Sequence, residues 1–253
     1  GGVISSSPAV VNGIVYVGSN DGKLYACDAA TGAKLWEFQT GSWVESSPAV
    51  VNGVVYFGSN DGRLYAVDAK TGKEKWHLQT TYPVRSSPAV ADDVVFFGSD
   101  DYHFYAVNAT NGRKRWDFLT GERILSSPVV SNGIVYFGSS DNILYALQAG
   151  TGHLRLRLPT SAAVISSPAV SGDIVYFGGD NGYLYALDAN ARNWPGELEL
   201  RPFWVTLFLR GTAPAPPAVS GFLWQLNLGV VQTGVSIRAP KTITPVSTAP
   251  ALA

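Results

Sequence analysis

Hydrophobic and polar residues alternate in short runs along roughly the first 190 residues. Between Ser7 and Gln39 the runs are "SPAVV", "IVYVGS", "KLYACD" and "KLWEFQ", each rich in β-branched or aromatic residues. Asn12-Gly13, Asn20-Asp21-Gly22 and Thr31-Gly32 separate them, and such residues turn a chain sharply. No stretch shows the 3.6-residue apolar period of a helix. The pattern therefore predicts four short antiparallel strands.

The same line is written again and again. Ser-Ser-Pro recurs at Ser6, Ser46, Ser86, Ser126 and Ser166, a spacing of 40 without insertion or deletion. The repeats run 1–40, 41–80, 81–120, 121–160 and 161–190. Strands this short cannot bury their faces alone, and a unit of about 40 residues with four antiparallel strands is the blade of a β-propeller. The expected fold is all-β: a β-propeller of four-stranded antiparallel blades, five clear and a sixth degenerate. Asn12-Gly13, Asn52-Gly53 and Asn132-Gly133 suit type I′ hairpin turns. Asp92-Asp93 lacks the glycine and is expected to turn differently or more loosely, and Gly172-Asp173 also departs from the pattern.

Beyond Asn193 the composition shifts: no Asp or Glu follows Glu199, and Pro, Ala and Thr become common. "PPAVSGFLWQLNLG" (Pro216 to Gly229) echoes "SPAVSGDIVYFGGDNG", displaced by 49 residues instead of 40. Residues 191–253 read as a degenerate blade with a low-complexity end, or as sequence foreign to the propeller. Without a closing blade the first and last strands would expose pairing edges, so a longer parent of seven or eight blades is expected.

A hydrophobic content of 46% with 15% charged residues suits a globular core, and a formal charge of -1 gives no reason to expect nucleic acid. The apolar run Phe203 to Leu209 is far short of the roughly 20 residues that span a bilayer. Cys27, the one cysteine, stands where the other repeats carry Val67, Val107, Leu147 and Leu187, so it reads as a small core hydrophobe. The chain has no methionine, opens in mid-repeat and shows no targeting signal, as a fragment or processed chain would.

Ala26 to Trp36 reads A-C-D-A-A-T-G-A-K-L-W and Ala66 to Trp76 reads A-V-D-A-K-T-G-K-E-K-W. This resembles the tryptophan-docking motif A-x-D-x-x-T-G-x-x-x-W of the pyrroloquinoline-quinone-like, quinoprotein-type and BamB-like propeller repeats. The resemblance implies that Ala26, Gly32 and Trp36, with Ala66, Gly72, Trp76, Ala106, Gly112 and Trp116, form docking contacts between blades. The third copy has Asn108 and Asn111 for Asp and Thr, which should preserve the turn; the fourth ends in Leu156; in the fifth, Trp194 arrives two residues early.

The resemblance also raises a quinoprotein dehydrogenase, which needs converging calcium ligands, a catalytic Asp and, in the alcohol dehydrogenases, a vicinal cysteine pair. One cysteine cannot form that pair. Asp21, Asp61, Asp101 and Asp141, continued by Asn181, form a ladder of turn-formers, as do Asp28, Asp68 and Asp188. Ligands spaced by blades lie apart around a ring, not at one point. His77, His103 and His153 occupy three different phases of the repeat, and no His stands at a fixed offset from the Ser-Ser pairs. "GGDNG" (Gly178 to Gly182) lies on a strand-to-strand turn, where a phosphate cradle has no helix.

The copies reveal which positions vary. Loops between repeats read "GSWVE", "TYPVR", "GERIL" and "SAAVI", whereas the "NG" and "TG" turns at the other end change little. The face carrying the inter-repeat loops, called the top here, is thus the expected surface for a protein or peptide, with Trp43, Tyr82, Arg85, Glu122 and Arg123 as candidates. The expected function is a non-catalytic binding or scaffold module that uses no cofactor. The resemblance implies extracytoplasmic work, as in outer-membrane assembly lipoproteins or kinase-linked sensors. The alternative is a fragment of a quinone- and calcium-dependent alcohol dehydrogenase.

Overall fold

The computed structural model describes residues 1–192 and 220–227. Its first four-stranded antiparallel sheet consists of Ala9–Val11, Ile14–Gly18, Lys23–Asp28 and Lys34–Gln39, in that order. The next three sheets repeat it at 40-residue offsets to within one residue. No helix occurs among the described residues, and the fold is all-β, built of propeller blades. First strands lie beside first strands from each sheet to the next, which places them around a common axis.

The fifth sheet corrects the reading of the C-terminal region. Its strands are Ala169–Ser171, Ile174–Gly178, Tyr183–Arg192 and Ser220–Asn227. The segment that echoes the start of a sixth blade supplies instead the fourth strand of the fifth, with Ala186 opposite Trp224 as Ala26 is opposite Trp36. The blade does not end at residue 190: its hairpin runs on to Arg192, and residues 193–219 intervene before the strand that completes it. Trp194 and the proline-rich end after Asn227 lie outside the described residues.

The turn at Asp92-Asp93 also differs from expectation. Both residues take positive φ (48° and 58°), matching Asn12 (50°) and Gly13 (75°). Register holds the hairpin: Val94 pairs with Ala91 as Ile14 pairs with Val11, so the loop has two residues in either case. In the fifth repeat only Gly172 of the pair has positive φ (57°).

Each sheet has two apolar faces. The face toward the next blade carries Tyr16, Leu24 and Ala26; it meets Val55, Phe57, Tyr65 and Val67 of the second blade in one cluster. Three further clusters repeat that arrangement down to the fifth blade. The opposite face of the first blade meets no preceding blade among the described residues, so Cys27 is only half-buried where Val67, Val107, Leu147 and Leu187 are fully buried. The cysteine thus occupies the core phase of a blade face that no other described blade covers.

Hydrogen bonds cross every interface. Trp36 Nε1 donates to Ala69 O at 3.1 Å, Trp76 to Ala109 O at 3.0 Å and Trp116 to Ala149 O at 3.0 Å. Tyr16 and Tyr56 hydroxyls donate to the same Ala69 and Ala109 carbonyls, and Tyr136 serves Ala189, where Leu156 has replaced the indole. The serines of Ser-Ser-Pro form a second belt. Ser46 Oγ donates to Ser86 O and Ser86 Oγ to Ser126 O, while the Ser47 amide donates to Ser87 Oγ. A buried bond of this kind contributes about 1 kcal/mol net, and leaving one partner unmet costs more.

The Thr-Gly turns show why glycine is needed. Asp28 Oδ1 accepts from the amides of Ala30 and Thr31 and from the Thr31 hydroxyl, and Asn108 accepts likewise from Thr110 and Asn111. Gly112 has φ 69°, and a Cβ there would stand 2.6 Å from Trp76 Cε3. Gly53 has φ 73° with nothing within 4 Å. Gly53→Ala is therefore expected to lose about 1 kcal/mol from the left-handed backbone alone. Gly112→Ala should lose a further ~1–3 kcal/mol from the overlap. Denaturant unfolding of both variants checks this, and equal losses would mean that the indole does not seat on the glycine.

Candidate functional site

The top face is built from loops whose backbones are tied down. Thr40 Oγ1 donates to Gly22 O and Ser42 O, closing the loop against its own blade. The next blade then holds the loop from the other side: the Asn60 amide donates to Trp43 O, Asp100 to Pro83 O and Ser140 to Arg123 O. Ser59, Ser99 and Ser139 add hydroxyl bonds to the same loops. The side chains on these fixed backbones differ from loop to loop.

The aspartate ladder is part of this fastening. Asp61 Oδ1 accepts from the Arg63 amide, while Oδ2 accepts from Tyr65 OH at 2.7 Å and from the Gly41 amide at 2.8 Å. Burial, then the bond to Asp61, pushes the Tyr65 phenol up to about 12. Asp101 and Asp141 repeat the set with Thr81 and Gly121. In the fifth blade Asn181 reverses both Oδ2 bonds, its Nδ2 donating to Tyr185 OH and to Ser161 Oγ. A serine hydroxyl thus accepts where the other loops offer an amide donor.

Among the predicted site residues, Trp43 is 52% and Tyr82 59% exposed. Glu122 and Arg123 are exposed on the next loop. No ring contact joins Trp43 to Tyr82 among the described residues, and a cleft of about 280 Å³ beside Trp43 is lined by Asn20, Gln39 and Ser42. Arg85 alone is drawn into a network. Its Nε lies 3.5 Å from Glu45 Oε2 and a terminal nitrogen lies 3.5 Å from Asp100 Oδ2; Asn60 Nδ2 donates to Glu45 at 2.9 Å.

Glu45, Asn60 and Asp100 were not singled out by the sequence reading. The signal existed: Asp100 and Asn60 stand at one phase, where repeat four has Ser140, and Glu45 and Arg85 stand at another, where it has Leu125. Tyr102 was also missed. It holds φ 73° at a turn position occupied by Gly22, Gly62 and Gly182 elsewhere, and it is 42% exposed. A bulky side chain in left-handed backbone is uncommon and costly, and such strain gathers at functional positions.

Asp100 differs from the ladder aspartates. Its side chain is only 11% exposed, and its Oδ1 is buried without a hydrogen-bond partner. Burial raises its pKa; the Arg85 and Arg123 charges oppose that shift without cancelling it. A second cleft, about 410 Å³ on the bottom face, is lined by Asn52, Tyr56, Lys75, Asp92 and Asp93. It is larger, yet none of the partnerless buried polar atoms lines it. Four such atoms among the described residues belong to Asn20, Asn60, Arg85 and Asp100 of the top loops and turns, and one, Arg155 Nε, lies at the other end on the fourth strand of the fourth blade.

Known proteins bear on this geometry. The family model described as outer membrane protein assembly factor BamB matches residues 1–118 and 106–194. The chain belongs to this BamB-like family of PQQ-type repeats. No curated protein sequence matches it. The crystal structure of BamB from Moraxella catarrhalis superposes with a TM-score of 0.66 at 22% identity, covering 74% of this chain and 59% of that one. Quinohemoprotein alcohol dehydrogenase from Comamonas testosteroni gives a TM-score of 0.68 at 19% identity, covering 76% and 42%. The computationally designed Ika8 protein gives 0.67 at 22%, covering 73% and 58%. At these identities the solved structures show the fold, and the chain spans less than two thirds of the length of each.

A carboxyl titration by NMR is expected to place the Asp100 midpoint above the ordinary value of about 3.9. Because folding then favours the neutral acid, the group's stabilising contribution is full below the unfolded pKa and is lost as pH rises through the folded pKa. Asp100→Asn should flatten that slope. A midpoint at or below the ordinary value would show that the arginines outweigh burial.

Proposed function

We propose that this chain is a non-catalytic binding or scaffold module that holds a protein or peptide on its top face. One observation carries the reading: variable, exposed side chains sit on loops whose carbonyls are fixed from both sides, at Trp43, Tyr82, Glu122 and Arg123. Rigid presentation lowers the ordering cost of association, and aromatic and arginine side chains dominate binding energies. Tyr102 joins the candidates. The family's name, an outer membrane protein assembly factor, supports a protein partner and an extracytoplasmic setting. No helix among the described residues is long and apolar enough to cross a membrane.

The residues present fit calcium and a quinone poorly. Glu45 and Asp100 have the Arg85 guanidinium between them, where a divalent cation would need open oxygens. The ladder oxygens are spent on turn amides and tyrosines. Cys27, the one thiol, sits on the face of the first blade, away from the top. A quinone site would have to come from sequence beyond these blades. The likeness to the dehydrogenase supports only the fold.

Photo-crosslinking groups placed at Trp43 and Tyr82 should yield partner adducts in intact cells, and the same groups at Asn52 and Asn132 on the bottom turns should not. Calorimetric titration of the folded chain with pyrroloquinoline quinone plus calcium should give no saturable heat. Adducts confined to the bottom, or saturable quinone binding, would overturn the reading.

A further inference from the structure

The cleft of about 410 Å³ on the bottom face lies between the second and third blades. Val51 and Val54 of the second blade and Val90 of the third line it, each half-buried at the edge of the cluster between those blades. Lys75 on the second blade and Asp92 and Asp93 on the third line it as well, and these three are exposed. Small-molecule sites have this form: about 300–1,000 Å³, an apolar lining and a few polar groups that fix orientation.

The charges are departures from the repeat. Leu35, Arg115 and Arg155 stand at the phase of Lys75, and Asn12-Gly13, Asn52-Gly53 and Asn132-Gly133 at the phase of Asp92-Asp93. The first interface therefore sets Leu35 against Asn52-Gly53 and the third sets Arg115 against Asn132-Gly133, with no carboxylate in either turn. The fourth has one acid, Asp173, and its Arg155 donates to the Asn190 carbonyl. Among the four described interfaces, the second alone sets two acids against a cation.

The fold does not use these acids. Both hold positive φ, which an Asn-Gly pair takes at less cost. Neither carboxylate has a hydrogen bond or ion pair among the described residues, whereas the ladder aspartates spend their oxygens on turn amides and tyrosines. Arg115 donates to the Asp93 main-chain carbonyl. Burial, then the Asp93 charge, raises the phenol of Tyr56, which also lines the cleft, so that charge acts on the cleft itself. Lys75 is loosely held: its ion pair to Asp68 is 4.0 Å long, and Asp68 already accepts from Thr71.

We propose that this cleft binds a free amino acid with an aliphatic side chain, its ammonium group toward Asp92 and Asp93, its carboxylate toward Lys75 and its side chain on Val51, Val54 and Val90. Charges of both signs beside an aliphatic surface complement a zwitterion with an aliphatic body. The two acids repel a simple carboxylate and the lysine repels a simple amine, so the site selects against each half of the ligand alone. The proposal is independent of the partner reading of the top face.

The test uses carbon-13 methyl NMR on the whole chain, following Val51, Val54 and Val90, with leucine, N-acetyl-leucine, leucine amide and leucyl-leucine as probes. Leucine is expected to move the methyl signals saturably. N-acetyl-leucine, which lacks the ammonium group, and leucine amide, which lacks the carboxylate, are each expected to bind at least ~10-fold more weakly. Lys75→Leu should weaken leucine without weakening its amide; Asp92→Asn with Asp93→Gly should weaken both. Leu35 and the Asn-Gly pairs stand at those phases in other repeats, so both variants suit the blade. Leucine amide binding as tightly as leucine would make this a cation site, tighter binding of leucyl-leucine would make it a peptide site, and no response to any probe would show no ligand site. Each of these three results overturns the proposal.

Discussion

A four-stranded blade has two apolar faces and cannot bury either by itself. Everything else in this chain follows from that constraint. The 40-residue repeat supplies the same face to each neighbour, so Tyr16, Leu24 and Ala26 find in the second blade what Tyr136, Leu144 and Ala146 find in the fifth. Stability in such arrays is close to a sum of unit and interface terms, so each interface must close its own polar groups. The indole and phenol bonds to a single alanine carbonyl, and the serine belt nearer the axis, do so. Loss of the indole at Leu156 is tolerated because Tyr136 still serves the Ala189 carbonyl.

Fixing the scaffold frees the top. The loops are fastened by main-chain atoms, by threonine, serine and aspartate side chains that recur in the blades, and by Val44, Val84, Ile124 and Val164 buried in the clusters between blades, so the exposed loop side chains are not needed to hold them. That division explains how Trp43, Tyr82 and Glu122 can differ so widely on one backbone geometry. It also gives Asp100 its meaning. The aspartate one residue later in the chain is fully bonded, whereas Asp100 is buried beside two arginines at distances that leave it incompletely satisfied.

The fold was legible because the period is unbroken through five repeats and each strand carries its own turn residues. The fifth blade was misread because its fourth strand arrives late: "FLWQL" repeats the Leu-Trp pattern of "KLWEF", but Arg192 and Ser220 are neighbours only in register, not in sequence. The loop candidates were legible as variation. The polar network was not, since it joins a loop to a turn 15 residues onward, as Glu45 meets Asn60 and Arg85 meets Asp100. That pairing exists because the next blade's turn amide fastens the preceding loop, a three-dimensional fact with no trace in a comparison of loops alone. Tyr102 could have been found as a glycine position without glycine.

The central claim is that the shared repeat positions carry stability and the departures from them carry recognition. Its most direct test is the denaturant midpoint of the whole chain bearing Glu45→Leu, Arg85→Leu and Asp100→Ser together, residues that repeat four places at the same phases. The account expects a midpoint equal to or above that of the parent, because an incompletely satisfied charge network is replaced by residues the blade already accommodates. A loss of about 3–5 kcal/mol, the scale of breaking a buried structural ion pair, would contradict it and make the network part of the scaffold.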